Sequence, residues 1–355
     1  MAAITIKNMD VTYNKGKSYV IKDMNLEIKD GEFCVFLGPS GCGKSTAMYC
    51  IAGLLHPVHG EICFGNEAMN QLDERGKEKK FVPPQERNIA MVFQEYALYP
   101  NMTVRKNMSF ALETKKAPKE EIEKRVNSMS AMLGLDELLD RKPAQLSGGQ
   151  AQRTALARIM VSDPQLLLLD EPFSALDAHL RDKLMIEMRD VLTRFGREVI
   201  MVTHDRNEAY NMSREIAVMD SGRLLTVNRT KALFADPGSV PAAMLTGCKN
   251  IAPAIKRGEH EVYVPDWGVS LTTAQPVGDD IKAIGIRAHY FNPSAPTNRH
   301  EIEYLDEMEE PFEWIIEFKF KSAAESEPSV WWRVTKDKRP VSYTHLRAHE
   351  TRHDL

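Results

Sequence analysis

Short apolar runs alternate with helix-like segments along the first 235 or so residues. Residues 32–37, 166–169 and 199–202 are brief, mostly apolar runs of the kind that forms buried strands. Residues 44–55 instead carry apolar side chains at helical spacing. This alternation predicts an α/β domain.

A helical insertion and a second domain complete the predicted organisation. Residues 103–142 are rich in Lys, Glu, Ala, Met and Leu at helical spacing, which predicts a helical subdomain. The turn-type sequence at residues 236–239 marks the end of a first domain, which we place at residues 1–238. Short β-type segments separated by Pro, Gly and Asp follow, so we expect a small β-rich domain over residues 239–340.

Composition and charge narrow the classes of function. The 355 residues carry a formal net charge of −4, which gives no reason to expect a surface that binds nucleic acid. No apolar run approaches the roughly 18 residues that span a bilayer. The five cysteines lack metal-ligand spacing and fit a reducing compartment better than a disulfide framework. We therefore expect a globular protein that is neither secreted nor membrane-spanning.

A glycine-rich sequence lies between the predicted strand at 32–37 and the predicted helix at 44–55. Its glycines let backbone N–H groups turn inward around the phosphates of a nucleotide, and the helix N-terminus adds a favourable dipole. Lys44 would reach the outer phosphates, and the Ser45 hydroxyl would ligate Mg²⁺. An ordinary glycine-rich turn is the alternative, but the strand, the lysine and the serine are all in register. The residues of this phosphate-binding loop are Gly38, Pro39, Ser40, Gly41, Cys42, Gly43, Lys44, Ser45 and Thr46.

Two acidic residues follow the apolar run at 166–169. Asp170, at the end of this strand, would place a carboxylate near the metal as a water-mediated ligand. Glu171 would orient or deprotonate the attacking water. A strand that ends in acids is common by itself, but together with the glycine-rich loop it predicts a hydrolase site.

The third element is the sequence Leu-Ser-Gly-Gly-Gln at residues 146–150, which precedes a helical segment. Ser147 fits a helix N-cap, and a helix start with adjacent glycines is another place where phosphate oxygens dock. In order and spacing, this sequence, the glycine-rich loop and the Asp-Glu pair resemble the motifs of the ATP-binding cassette (ABC) ATPases. The resemblance is dense over residues 4–235 and looser to residue 340. It departs from the family at Ala151, where relatives usually carry a longer polar residue.

The resemblance implies roles for further residues. Tyr13 resembles the aromatic residue that stacks on adenine, although a strand residue packed in the core would fit the sequence as well. Gln94 matches the glutamine that senses Mg²⁺ and the attacking water, and His204 matches the histidine that contacts the γ-phosphate. Asp177 belongs to the sequence that matches the loop crossing between subunits.

On this basis the site residues fall into three groups. The expected catalytic residues are Glu171, His204 and Gln94, and the expected metal site consists of Ser45, Gln94 and Asp170. Nucleotide-binding residues outside the glycine-rich loop are Tyr13, Ser147, Gly148, Gly149, Gln150 and Asp177.

Cofactors and partners also follow from the resemblance. It implies ATP and Mg²⁺ as cofactors and a head-to-tail pair of ATPase subunits. Lys44, Ser45 and Glu171 of one subunit would then share an ATP with Ser147 and Gly149 of the other. The resemblance further implies transmembrane permease subunits, an extracytoplasmic solute-binding protein that acts indirectly, and a peripheral location at the cytoplasmic face of the cell membrane.

The transported solute is less well marked. Residues 96–104 resemble the stretch where importer ATPases for carbohydrates and related solutes receive a helix of the membrane subunit, and residues 284–289 resemble a motif of their small β-barrel regulatory domain. We therefore expect an importer for a sugar or glycerol-3-phosphate. Residues 245–251 and 310–314 are more similar to molybdate or sulfate importer ATPases, and polyamine importers share the layout, so these alternatives stay open.

Two alternatives come from other functional classes. A soluble ABC protein of DNA repair or translation would generally carry a long coiled-coil insertion or two cassettes, and this sequence has neither. A binding protein whose ATP site only signals is disfavoured because Glu171 and His204 are both present.

The last residues, 341–355, do not continue the pattern of the β-rich domain. The spacing of His345, His349 and His353 would suit a metal site on a helix. The stretch more closely resembles an adapter-derived tail at the ends of unrelated assembled sequences, so we expect a non-native tail and a natural C-terminus that is missing.

Overall fold

The computed structural model describes residues 2–14, 18–73, 76–92, 98–174, 178–292, 296–338 and 345–347. Two units divide the chain, Met1–Thr230 and Lys231–Leu355. We predicted that the first domain ends at residue 238, which is eight residues after the end of the first unit. The short helix that begins at Thr230 lies between these two positions.

The first unit contains both strands and helices. Its strands are β1 (Ala2–Val11), β2 (Ile21–Lys29), β3 (Phe33–Leu37), β4 (His59–Phe64), β5 (Glu67–Leu72), β6 (Glu78–Phe81), β7 (Ile89–Val92), β8 (Leu166–Asp170), β9 (Glu198–Thr203), β10 (Glu215–Asp220) and β11 (Arg223–Arg229). Its helices are α1 (Lys44–Ala52), α2 (Val104–Thr114), α3 (Lys119–Leu133), α4 (Gly148–Met160), α5 (Ala178–Phe195) and α6 (Arg206–Met212), and α7 (Thr230–Ala235) begins at its last residue.

A mostly parallel sheet carries the chemistry-bearing residues. In the described part of the chain its strands are ordered β11-β10-β3-β9-β8-β7, and only the β10–β11 pair is antiparallel. Every residue of β8 and β9 is buried, as expected for central strands of a sheet that is covered on both faces. Because β3, β8 and β9 are parallel neighbours, the residues that follow them come out at one edge. The three predicted strands and the predicted helix correspond to β3, β8, β9 and α1, which confirms the α/β fold.

A second sheet in this unit was not predicted. Within the described residues it is antiparallel, with the order β2-β1-β4-β5-β6. Its strands lack an apolar run: β2, for example, alternates between buried and exposed positions over much of its length. An alternating pattern leaves one face to the core and the other to solvent, so it is a weaker signal than the continuous runs of β8 and β9.

Helix α1 shares a core with both sheets. Its buried Met48 and Ile51 belong to the same apolar cluster as Ile4 and Ile6 of the antiparallel sheet and Leu168 of the parallel sheet. This shared core fixes the helix that follows the glycine-rich loop. The predicted helical insertion at 103–142 contains α2 and α3, which pack on each other and on α4.

The second unit is β-rich, as predicted. It contains α8 (Val240–Leu245) and the strands β12 (Asn250–Pro253), β13 (Ile255–Gly258), β14 (Glu261–Val264), β15 (Val269–Thr272), β16 (Ala283–Ile286), β17 (Arg299–Glu309), β18 (Glu313–Phe320), β19 (Val330–Thr335) and β20 (His345–Arg347). The paired strands are antiparallel, and Trp267, Phe318 and Trp332 lie in their common core. The three residues of β20, within the segment that we predicted to be non-native, pair with β17.

Among the described residues, no helix combines the length and the apolar character that crossing a membrane requires.

A buried arginine holds the C-terminal end of α1. Arg87 is 2% exposed, and its guanidinium donates to the carbonyl oxygens of Cys50 and Ile51 at 3.0 and 2.8 Å. It also donates to the carbonyl oxygens of Val82 and Met69. Burial lowers the pKa of Arg87 to about 10, so the group stays charged at neutral pH. One side chain thus satisfies carbonyls from the end of α1 and from the antiparallel sheet region.

Replacing this arginine tests its part in the fold. In Arg87→Met the four carbonyl oxygens lose their donor inside the protein, so we expect the free energy of unfolding of the first unit to fall by about 3 kcal/mol. Arg223→Met, at an exposed position of β11, is the matched control and should stay within about 0.5 kcal/mol of the wild type. Urea unfolding followed by circular dichroism measures both. Equal free energies of unfolding for the two variants would show that the hydrogen bonds of Arg87 do not stabilise the first unit.

Candidate functional site

The glycine-rich loop between β3 and α1 takes a conformation that its glycines permit. A Cβ at Gly38 would lie 2.1 Å from the carbonyl oxygen of Met219, so only glycine fits there without movement of the backbone. Gly41 and Gly43 have φ angles of +80° and +105°, in the region that residues with a side chain rarely adopt. The loop leads directly into the N-terminus of α1, which begins at Lys44. Such a loop can direct backbone N–H groups and a helix dipole at an anion.

Lys44 lies within this loop. It is 4% exposed, and its Nζ donates hydrogen bonds to the carbonyl oxygens of Gly38 and Pro39, both at 2.8 Å. The loop backbone therefore holds a buried ammonium group beside the residues that would meet a phosphate.

The Asp170 carboxylate connects strand β8 to helix α1. Its Oδ1 accepts a hydrogen bond from Ser45 Oγ at 3.0 Å, and its Oδ2 accepts one from the Tyr49 hydroxyl at 2.8 Å. Burial raises the pKa of Tyr49 to about 12, and the neighbouring Asp170 adds to this effect. The phenol is therefore a neutral donor at physiological pH.

Tyr49 was absent from the sequence-based prediction. It lies four residues after Ser45 on α1, and residues at this spacing share a helix face. This spacing from Ser45 could have identified Tyr49, which the glycine-rich motif does not include.

The oxygen donors of this group fit Mg²⁺. Ser45 supplies a hydroxyl and Asp170 a carboxylate, and Mg²⁺ binds through one or two such protein groups together with water and substrate phosphates. Over the residues that the structure describes, no cluster of three or more His, Cys, Asp or Glu side chains could hold a metal by itself. Ser45 and Asp170 therefore suit a hard cation whose other ligands come from water and from the phosphates of a nucleotide.

A second acid and a histidine lie beside this group. Glu171 follows Asp170, and its Oε1 lies 3.3 Å from Nδ1 of His204, which comes directly after β9. The backbone N–H of Glu171 donates to the carbonyl oxygen of Val202 in β9 at 3.0 Å. Glu171 has a φ of +44°, so a non-glycine residue holds a left-handed conformation at this edge of the sheet. The carboxyl ends of β8 and β9 therefore bring together a carboxylate and an imidazole.

Tyr13 lies next to the glycine-rich loop. Its side chain is 63% exposed, and its hydroxyl lies 3.1 Å from Oγ1 of Thr46. The alternative interpretation, a strand residue packed in the core, is wrong, because Tyr13 follows the end of β1 and faces solvent.

The Leu-Ser-Gly-Gly-Gln segment forms a regular helix start. The Ser147 hydroxyl accepts from the Gln150 backbone N–H at 3.4 Å, and the Gln150 side chain accepts from the Ser147 backbone N–H at 2.9 Å. Ser147 and Gly148 are exposed, whereas Gly149 is buried against Leu184 of α5. Among the described residues, the side-chain hydrogen bonds of this segment stay within it, and none of them reaches the glycine-rich loop.

Two predicted site residues, Gln94 and Asp177, lie outside the described residues, as does the beginning of the stretch 96–104. Tyr99 from that stretch is described. It is 38% exposed, its ring contacts Phe110, and the guanidinium of Arg158 lies 5.3 Å from the ring centre.

Comparisons with known proteins find transport proteins that are similar to most of this chain. Residues 21–174 match the family model described as ABC transporter. The chain is 40% identical to a lactose transport ATP-binding protein of Rhizobium radiobacter over 86% of its own length and 84% of that protein. It is 41% identical to a maltose/maltodextrin import ATP-binding protein of Escherichia coli strain K12, over 83% of this chain and 79% of the relative.

Two solved structures are similar to about two thirds of the chain. A subunit of a Clostridium perfringens ABC transporter complex matches with a TM-score of 0.59 and 30% identity, over 66% of this chain and 91% of that one. A dimeric ATP-binding cassette bound to ADP and phosphate matches with a TM-score of 0.53 and 33% identity, over 64% of this chain and 98% of that one.

Two glycines of the loop, Gly38 and Gly41, should respond differently to a methyl group. Gly38→Ala forces a Cβ against the Met219 carbonyl, so we expect a loss of about 2–3 kcal/mol in the free energy of unfolding and at least tenfold weaker ATP binding. Gly41→Ala has open space and bears only the strain of its positive φ, about 1 kcal/mol. Thermal unfolding and titration with a fluorescent ATP analogue compare them. Equal losses in both variants would show that the close approach to Met219 is unimportant.

Proposed function

Since the chain belongs to the ABC transporter family, as an ATP-binding subunit of an importer, we propose that residues 38–46, Asp170, Glu171 and His204 form its ATPase site. Because these relatives are ATP-binding proteins of transporters, the chain is an ATPase. The observation that carries the residue assignment is the grouping at one sheet edge. Asp170 is hydrogen-bonded to Ser45 of the glycine-rich loop, and the next residue, Glu171, lies 3.3 Å from His204.

The glycine-rich loop would bind the phosphates. Its backbone N–H groups and the N-terminus of α1 favour negative charge, and Lys44 would reach the outer phosphate oxygens. Ser45 and Asp170, together with Gln94, are proposed to hold Mg²⁺. A bound metal would neutralise the negative charge that develops on the phosphates during hydrolysis. Tyr13, exposed beside Thr46, offers its ring to the adenine base.

Glu171 and His204 would carry the chemical step. A water molecule attacks the γ-phosphorus and transfers its proton to the Glu171 carboxylate, while the bond to the bridging oxygen breaks and that oxygen leaves with ADP. His204 lies beside the carboxylate and would hydrogen-bond an oxygen of the γ-phosphate. Both residues directly follow adjacent strands, β8 and β9, so the pairing of these strands brings them close together.

A second ATPase subunit would complete the site. The exposed Ser147 and Gly148 at the start of α4 present a capped helix N-terminus to the surface, and such an N-terminus suits phosphate oxygens. These two residues, Gly149, Gln150 and Asp177 are proposed to act on the ATP that the partner subunit's loop holds. A dimer of two copies is supported by the structural neighbour that was solved as a dimeric cassette.

The solute is proposed to be a carbohydrate. The relatives named above transport lactose and maltose or maltodextrin, and their similarity extends from the first unit into the β-rich unit of this chain. The solutes of these relatives support a carbohydrate over molybdate, sulfate or a polyamine. Transmembrane permease subunits, a solute-binding protein outside the membrane, and a position at the cytoplasmic face of the cell membrane complete the proposal.

Substitution of the acid tests the hydrolytic site. Glu171→Gln keeps the shape of the side chain but cannot accept the proton, so we expect turnover of ATP to fall at least 100-fold while ATP binding persists. Phosphate release and nucleotide titration measure the two quantities. Glu86→Gln, at an exposed position in the same unit, should hydrolyse ATP like the wild type. A Glu171→Gln variant with unchanged turnover would disprove the assignment.

A cellular experiment tests the importer and its solute. We expect the tagged chain to co-purify with two membrane subunits from detergent extracts. Deletion should abolish uptake of one labelled carbohydrate, and wild type but not Glu171→Gln should restore it. Recovery of soluble partners alone would contradict the importer assignment. Loss of molybdate, sulfate or polyamine uptake instead would contradict the carbohydrate assignment and leave the importer assignment standing.

A further inference from the structure

The phenol of Tyr49 is a side chain at the proposed metal site that the ATPase motifs do not include. It lies one helical turn beyond Ser45 on α1 and donates to Oδ2 of Asp170 at 2.8 Å. Ser45 donates to the other oxygen, Oδ1, at 3.0 Å. The two donors therefore divide the two oxygens of one carboxylate between them.

This division fixes the orientation of the carboxylate. Asp170 is 7% exposed, so little solvent competes for its oxygens, and a hydrogen bond to a charged acceptor is among the stronger kinds in proteins. With Oδ2 held by Tyr49, Oδ1 faces the Ser45 hydroxyl. Oδ1 and Ser45 Oγ are thus the oxygens that converge at the start of α1.

The Tyr49 ring is itself held in place. It is half-buried and packs against the apolar cluster that α1 shares with the two sheets. The position of the hydroxyl is therefore set by packing, whereas removal of the oxygen alone would leave that packing intact. A substitution that removes only this oxygen therefore tests the hydrogen bond without disturbing the packing of the ring.

We propose that Tyr49 is a positioning residue for Mg²⁺, which acts by holding Asp170 Oδ2 so that Oδ1 and the Ser45 hydroxyl face the metal. This inference rests on the proposed ATPase site. Groups that orient a metal ligand through a hydrogen bond contribute to metal affinity, and their loss typically lowers it about 10- to 100-fold. Tyr49 would thus set the concentration of Mg²⁺ that the site requires, while nucleotide binding without metal depends on the loop and Lys44.

Tyr49→Phe tests the proposal because it removes only the hydroxyl oxygen. The probe is a non-hydrolysable ATP analogue, titrated with Mg²⁺ and followed by fluorescence. We expect the half-saturating Mg²⁺ concentration to rise about tenfold, with binding in excess EDTA unchanged. In ATP hydrolysis, saturating Mg²⁺ should return the variant to nearly the wild-type turnover. Tyr263→Phe, a half-buried tyrosine of β14 in the second unit, is the control and should match the wild type.

A double-mutant cycle shows whether Tyr49 acts through Asp170. Asp170→Asn should itself raise the half-saturating Mg²⁺ concentration, and adding Tyr49→Phe should raise it no further. Additive effects of the two substitutions, or a Tyr49→Phe variant with wild-type Mg²⁺ dependence, would overturn the proposal. A wild-type protein without Mg²⁺-dependent hydrolysis would instead contradict the proposed ATPase site, so the two failures are distinguishable.

Discussion

The structure of the site depends on one carboxylate at the end of a buried strand. Asp170 accepts hydrogen bonds from Ser45 and Tyr49, and thereby joins strand β8 to helix α1. Both elements also contribute to one apolar core, whose packing is strong but not directional. The two hydrogen bonds add a directional link between the end of β8 and the start of the helix. The glycine-rich loop before α1 and the acid after β8 are aligned as a consequence.

The central sheet and most of the site could be predicted because their signals are local. Strand β8 is a continuous apolar run that ends in acids, and strand β3 ends at the glycine-rich loop. The acids after that run, taken together with the glycine-rich loop, also predicted that Lys44, Asp170 and Glu171 belong to one hydrolase site. The spacing of the glycine, Leu-Ser-Gly-Gly-Gln and Asp-Glu motifs then indicated the family.

What the sequence did not reveal depends on contacts between distant segments. The antiparallel sheet consists of strands whose alternating pattern is weak in isolation, and it becomes evident only when β1 pairs with β2 and β4. Tyr49 and Arg87 carry no motif. The role of Tyr49 comes from its hydrogen bond to an oxygen of a residue 121 positions away along the chain. The role of Arg87 comes from its hydrogen bonds to the carbonyl oxygens at the end of α1. Such partners are specified by the folded core and not by neighbouring sequence.

The backbone of Glu171 places folding and chemistry in conflict. A left-handed conformation such as its φ of +44° costs a residue with a side chain roughly 1–2 kcal/mol, a cost that glycine does not bear. Glycine would relax the turn after β8, but it has no carboxylate to offer beside His204. The protein therefore gives up conformational stability at the residue that we assign to proton transfer. Laboratory selection for heat resistance alone, without a demand for activity, would favour loss of this acid.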